Sequence, residues 1–222
     1  MRTLVDGVGR PAAIRRTERT IAAHRFPETV LRTENLTLRA FTPEDIEDTR
    51  AACSDELTQR WLPLPWPYTA EHATAWCTEI APALRESGDG IHFAVAARSG
   101  GRLLGTVGLK KTDWRAQVSE VGYWVAPWAR GRGIATEATA ALACWLLGDQ
   151  GFQRMELKAA VENAASQRVA VKAGLDYEGT MRNAGFVHGG RTDLRLYSAT
   201  RPIDSTGGTG RSGDRADFDP GA

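Results

Sequence analysis

Cysteine is scarce in this chain: Cys53, Cys77 and Cys144 are odd in number, widely spaced and form no CxxC pair. A disulfide framework and a zinc knuckle are thereby excluded, and a reducing cytoplasm is the expected compartment. Cys144 lies in an apolar run and is expected to be a small buried thiol. Charge of one sign is lacking too, because 28 Lys and Arg against 27 Asp and Glu leave a net +1. Such a balance argues against a chain that coats nucleic acid or an anionic membrane. The longest nearly apolar stretch, residues 138–147, falls far short of the roughly 18 residues that suggest a membrane span. Residues 1–20 carry arginines but no apolar h-region, so no export signal is expected. His24, His72, His92 and His188 show no metal-ligand spacing, His92 reads as a groove or surface residue, and no metal is expected.

What is present is material for one generous domain: 222 residues, 42% hydrophobic and 25% charged, which rules out bulk disorder. Half of residues 203–222 are Gly, Pro, Ser or Thr, so this tail reads as disordered. Residues 1–28 are arginine-rich and partly helical in pattern. They read as a solvated extension, with a nucleic-acid arm as the competing reading. The domain is expected to span residues 29–202.

Inside it the periodicity alternates. Leu36, Leu38 and Ala40 read as a strand, and Thr42-Pro43-Glu44-Asp45 supplies an N-cap, a proline and two acids for a helix to about Ser54. A second helix is expected over residues 69–84. Ile91, Phe93, Val95 and Ala97 open a hairpin that turns at Ser99-Gly100-Gly101, and Val121, Tyr123 and Val125 continue the period of two. Helical spacing holds over residues 131–147, then Met155, Leu157, Ala159 and Val161 form a strand, and a helix over 164–173 stops at Gly174. Residues 175–180 and 194–198 supply the last strands. The order β α α β β β α β α β β describes a mixed α/β sandwich without internal repeat.

The chemistry concentrates in Val121-Gly122-Tyr123-Trp124-Val125-Ala126-Pro127-Trp128-Ala129-Arg130-Gly131-Arg132-Gly133-Ile134-Ala135-Thr136-Glu137. A strand ends, a loop holds two arginines and two glycines, and a helix begins at once. Glycines let backbone N–H groups approach an anion, and the helix N-terminus adds partial positive charge, so the loop suits a phosphate. It lacks the Gly-Lys-Ser/Thr ending of a P-loop. A Rossmann reading is opposed by Thr136 at the third glycine position, by the distance from Val125 to Gly131, and by Glu156 opening its strand rather than ending it.

Arg130-x-x-Gly133-x-Ala135 resembles the (Gln/Arg)-x-x-Gly-x-(Gly/Ala) signature of the GNAT acetyltransferases. Asn163-x-x-Ser166, Lys172-x-Gly174-Leu175-x-x-Glu178-Gly179 and the opening Leu38-Arg39-Ala40-Phe41-Thr42-Pro43-Glu44-Asp45 are similar to the RimJ/RimL-like branch, over residues 31–199 in all. The resemblance implies a mostly antiparallel sheet splayed between its fourth and fifth strands, with helices on both faces. It also implies acetyl-CoA as acyl donor, cradled by the backbone of Arg130, Gly131, Arg132, Gly133, Ile134, Ala135 and Thr136. Trp124 and Val125 would line the pantetheine and thioester, the Val125 N–H would serve the oxyanion, and Asn163 would bond the arm, although Asn163 also suits a helix cap.

Acyl transfer needs a deprotonated amine and a stabilised leaving thiolate. Glu120, sharing a strand face with Gly122 and Trp124, is the candidate base; a solvated strand residue is its other reading. Glu137 reads as a helix-dipole partner. Many relatives place a tyrosine where this chain has Ala170, so Ser166 supplies the proton or the thiolate leaves unassisted, and Ser166 equally suits a local backbone bond. No Ser or Cys nucleophile is in a convincing setting, which favours direct attack in a ternary complex. Trp61, Trp66 and Tyr68, on a proline-stiffened loop, and Asp193 are the candidate acceptor residues; packing over the sheet edge and capping a turn are their other readings. The acceptor is expected to be a protein N-terminus or a small-molecule amine. A homodimer, a succinyl-CoA donor and a CoA-binding module without chemistry remain open.

Overall fold

The computed structural model describes residues 24–201, and the readings of residues 1–23 and 202–222 lie outside them. Eight strands form one sheet in the order β1-β2-β3-β4-β5-β6-β8-β7: β1 (Leu31–Arg32), β2 (Leu36–Arg39), β3 (Ile91–Ala97), β4 (Leu103–Asp113), β5 (Val118–Val125), β6 (Arg154–Ala160), β7 (Asp176–Val187) and β8 (Gly190–Thr200). All neighbours pair antiparallel except β5 and β6, which run parallel. The helices are α1 (Ile46–Cys53), α2 (Glu56–Trp61), α3 (Ala70–Ala75), α4 (Ala81–Ser87), α5 (Ile134–Cys144) and α6 (Ala164–Lys172). A π-helical stretch, Trp76–Ile80, joins α3 to α4, and another, Trp145–Asp149, follows α5.

The period of two decides which helices cover which face. On β3, Phe93 meets Trp145 beyond α5, with ring centroids 6.1 Å apart. Its neighbour His92 meets Trp76 between α3 and α4 at 4.9 Å. Successive side chains on a strand point to opposite faces, so the α3–α4 layer and the α5 layer lie on opposite sides of the sheet. The main core, including Phe26, Phe93, Val107, Leu142, Trp145 and Phe152, is buried against this sheet.

Local chemistry explains the first helices. Asp45 accepts from the Thr42 N–H at 2.8 Å and from Arg39 at 2.6 Å and 2.9 Å, which fixes the turn that launches α1. Sequence periodicity missed α2, whose six residues are too few to show a face. Its N-cap is Asp55, accepting from Thr58 N–H at 3.0 Å. Cys144 corrects an expectation, for it is exposed. Ala138, Leu142, Ala143 and Leu146 are buried, and at about 100° per residue position 144 turns away from that stripe. An all-apolar run hides such a distinction. The terminal hairpin is longer than its sequence suggests because β7 is an edge strand with mostly exposed side chains and hence little alternation.

The opening in the sheet is where the family resemblance places it, between the fourth and fifth principal strands, here β5 and β6. They pair from Val118↔Arg154 to Val121↔Leu157 and then part. Beyond that point β5 stays on β4 through Gly105↔Val125, and β6 stays on β8 through Ala160↔Leu194. Each strand is held from outside while its inner edge is open.

Candidate active site

The parting strands bound a cleft of about 640 Å³, lined on one side by Gly122, Tyr123, Trp124 and Val125 and on the other by Lys158, Ala159 and Ala160. Backbone direction on β5 follows from one bond. Ala126 N–H donates to Leu104 O at 2.9 Å, so positions 104 and 126 form a hydrogen-bonded pair. By antiparallel alternation the Gly105–Val125 pair is not hydrogen-bonded, and Val125 directs its N–H and C=O away from β4 into the cleft.

At one end of the cleft, the chain leaves β5 through a 3₁₀ turn at Pro127–Ala129 and enters α5 by way of Gly131 and Gly133. Both glycines are left-handed, with φ of 76° and 79°, a region where a Cβ is strained. A Cβ at either would meet no atom within 4 Å, so this concavity is open. The first helical bond runs from Glu137 N–H to Gly133 O at 3.0 Å. The amides of Ile134, Ala135 and Thr136 therefore precede the ladder and are free of it. Arg130, Gly131, Gly133, Ile134, Ala135 and Thr136 all line the cleft, whereas Arg132 is exposed outside it. The Arg130 guanidinium turns to α2, pairing with Asp55 and donating to Thr58 Oγ1 at 2.9 Å. Glu137 braces the same helix start from behind, accepting from the Asn35 backbone at 3.0 Å and the Asn35 side chain at 3.2 Å.

Where the two strands meet, Glu120 is buried, not solvated. Lys110 Nζ lies 3.0 Å from its carboxylate, Lys158 3.1 Å and Lys111 3.5 Å. Burial pushes the Glu120 carboxyl up, but Lys110 and Lys158 together outweigh it and hold it below the usual carboxylate range. The expected strand face holds, because a Cβ on Gly122 would meet Lys110 Cε at 3.5 Å.

On the opposite side, Asn163 caps α6, its Oδ1 accepting from Ser166 N–H at 3.0 Å. Its Nδ2 has no partner among the described residues, and Asn163 lines the cleft, so the cap leaves donor capacity there. Ser166 Oγ lies 2.8 Å from the Tyr123 hydroxyl. Composition and motif do not mark Tyr123 as a site residue, although its place two residues before Val125 on the same strand face is a usable signal. Ala170, on α6, is fully buried. Lys110 and Lys158 were missed as well, because only the register sets them against Glu120.

The acceptor candidates separate. Trp61 lines the cleft with Leu57, Leu62 and Pro63, and Arg60 stacks over its ring at 4.8 Å. Trp66 is 71% exposed, away from the cleft, with His188 as its ring neighbour at 6.5 Å. Tyr68 is buried with Cys53 and Ala73 and packs as core. Asp193 does not line the cleft; it accepts from Asn183 N–H at 2.7 Å, where Asn183 takes a left-handed φ of 54°. It stabilises the irregular middle of the β7–β8 hairpin, which sends Phe186 and Leu194 to the cleft instead. His92 is packed near Trp76, and burial first, with Lys110 adding, pushes its imidazole down to about 4. Among the described residues no cluster of three or more His, Cys, Asp or Glu is placed to hold a metal ion, and no helix is long and apolar enough to cross a membrane.

Comparison with known proteins agrees with this fold. The family model described as an acetyltransferase (GNAT) domain matches residues 35–176. The N-acetyltransferase YoaA of Bacillus subtilis is 28% identical over 177 residues, covering 80% of this chain and 98% of that protein. The ribosomal-protein-serine acetyltransferase of Escherichia coli is 26% identical over 180 residues, with the same shares of 80% and 98%. Among solved structures, RimL, a ribosomal L7/L12 alpha-N-protein acetyltransferase in complex with coenzyme A, superposes with a TM-score of 0.69 at 20% identity, covering 78% of this chain and 98% of that one. The microcin C7 self-immunity acetyltransferase MccE, in complex with acetyl-CoA and AMP, gives 0.71 at 19% identity, covering 80% and 99%.

Proposed function

Because the chain belongs to the acetyltransferase (GNAT) family, we propose that it moves an acetyl group from acetyl-CoA to a primary amine by direct attack in a ternary complex. The observation that carries this reading is the joining of an open β5 edge to a glycine cradle of free amides within one cleft. The cradle fits a pyrophosphate: the backbone is concave, nothing fills the space a Cβ would take at Gly131 or Gly133, and the α5 amides lack helical partners. When bound, acetyl-CoA supplies an acetyl thioester. The amides of Ile134, Ala135 and Thr136 hold its pyrophosphate, while Arg130 keeps the cradle in place by gripping α2. Trp124 and Val125 line the path toward the thioester, Asn163 offers Nδ2 to the arm, and the Val125 N–H stabilises charge as it develops on the carbonyl oxygen.

Glu120 prepares the amine. Its carboxylate stays ionised and accepts a proton from the attacking amine as the carbon–nitrogen bond forms, with Lys110 and Lys158 fixing it in position. Ser166 faces the leaving sulfur. Trp61 and Phe186 wall the acceptor side. The name of the Escherichia coli relative supports a protein acceptor, and that of RimL, an alpha-N-protein acetyltransferase, favours a protein N-terminus. The test is a panel of amines, including peptides with a free N-terminal serine, spermidine and an aminoglycoside, offered with acetyl-CoA or succinyl-CoA while thiol release is recorded. Release with acetyl-CoA and a primary amine is expected; CoA binding without release from any pair would leave a CoA-binding module instead.

A further inference from the structure

We propose that Tyr123 is a positioning residue that aims the Ser166 hydroxyl proton at the leaving sulfur; this rests on the acetyl-CoA reading of the cleft. The two hydroxyl oxygens are 2.8 Å apart, one from β5 and one from α6, and both side chains line the cleft. Either oxygen can donate across this pair, and the phenol also reaches the Ser166 carbonyl at 3.4 Å; a phenol is the stronger donor of the two, and with Tyr123 donating to Ser166 Oγ the serine proton is directed elsewhere. Without that partner Ser166 Oγ–H is free to turn back on the helix backbone, a common habit of serine in a first turn. The tyrosine position of many relatives is here the buried Ala170, so no acid stands there.

The pair stabilises the sulfur without giving up its own proton. Burial pushes the Tyr123 phenol up to about 12, against the smaller effect of Ser166. It is thus an acid roughly three powers of ten weaker than an ordinary thiol at about 8.5. As the carbon–sulfur bond breaks, the electron pair stays on sulfur, Ser166 donates a hydrogen bond to it, and the thiolate later takes a proton from solvent. A hydrogen bond to the charged form favours that form, so bound CoA should be the more acidic thiol.

The test uses CoA itself as the probe, with the ultraviolet absorbance of its thiolate followed against pH on the full chain and protein alone subtracted. Bound CoA is expected to titrate about tenfold more acidic on the wild type than on Tyr123→Phe or Ser166→Ala, with the double variant no different from either single one. The other charged groups lining the cleft, Lys110 and Lys111 on β4, Glu120 on β5, Arg130 before α5, Lys158 on β6, and Arg168 and Lys172 on α6, are common to all variants. In acetyl transfer Tyr123→Phe should lower kcat 10- to 100-fold and leave the KM for acetyl-CoA unchanged. Identical thiol titration in wild type and Tyr123→Phe overturns the proposal while leaving the cofactor site intact. If CoA does not bind the wild type, the acetyl-CoA reading falls and takes the proposal with it.

Discussion

Glu120 is a carboxylate that three lysines compete for, and its chemistry follows from that crowding. A group held below its ordinary pKa is a weak base that stays ionised at neutral pH, and the lysines offset its charge, so its part is to take a proton from the attacking nitrogen rather than to draw in an ammonium. Glu120→Gln is therefore expected to slow turnover by roughly 10² to 10⁴ near pH 7, with a smaller defect at high pH where the amine deprotonates unaided. A defect of equal size at every pH would assign Glu120 to positioning. At this scale the sequence was informative where alternation sets direction, as for Glu120 and Val125. It was silent on side chains that meet by register, because nothing in Lys110 or Lys158 announces that β4 and β6 carry them to one carboxylate.

Helix α2 links the proposed acceptor wall to the cradle. Asp55 caps it and also takes Arg130, so one carboxylate serves the helix start and the loop behind the proposed pyrophosphate site. Asp55→Ala should lower stability by about 1–2 kcal/mol, the usual scale of a lost N-cap, and weaken acetyl-CoA binding in titration; unchanged stability would disprove the link. The aromatic loop after α2 divides by burial. Trp61→Ala should raise the acceptor KM and leave acetyl-CoA affinity alone, whereas Tyr68→Ala should cost about 3 kcal/mol in denaturant unfolding, as core aromatics do. Prolines and aromatics together marked this loop in the sequence, but only the packing against Cys53 and Ala73 shows that Tyr68 faces inward. The edge hairpin β7–β8 was half legible for the same reason. Its exposed residues carry no periodic signal, and its irregular middle rests on a backbone bond to Asp193.

Across the whole molecule, ion pairs tie the splayed half of the sheet together. Arg154 on β6 pairs with Glu156 and with Glu178 on β7. Arg154 and then Ser198 hold the Glu178 carboxyl down from an ordinary 4.5 to about 2. A carboxylate depressed in the folded state adds stability that is complete above its unfolded pKa and is lost as pH falls through the folded one. Melting temperature should therefore drop progressively from about pH 4.5 toward pH 2, and Glu178→Gln should flatten part of that fall. The order of elements was readable because buried strands and amphipathic helices announce their periods. The gap between β5 and β6 was not; it came from the resemblance, since parting strands leave no mark on either one's own pattern. That gap and its glycine cradle are the centre of the account, and titration of acetyl-CoA measures them most directly. Wild type should bind it saturably and gain about 2.7 kcal/mol at a hundredfold excess over Kd. Gly133→Val, whose side chain would fill the open cradle, should still fold, at a backbone cost of about 1–2 kcal/mol, and lose the binding. No saturable binding by wild type at millimolar acetyl-CoA, or equal binding by Gly133→Val, would contradict it.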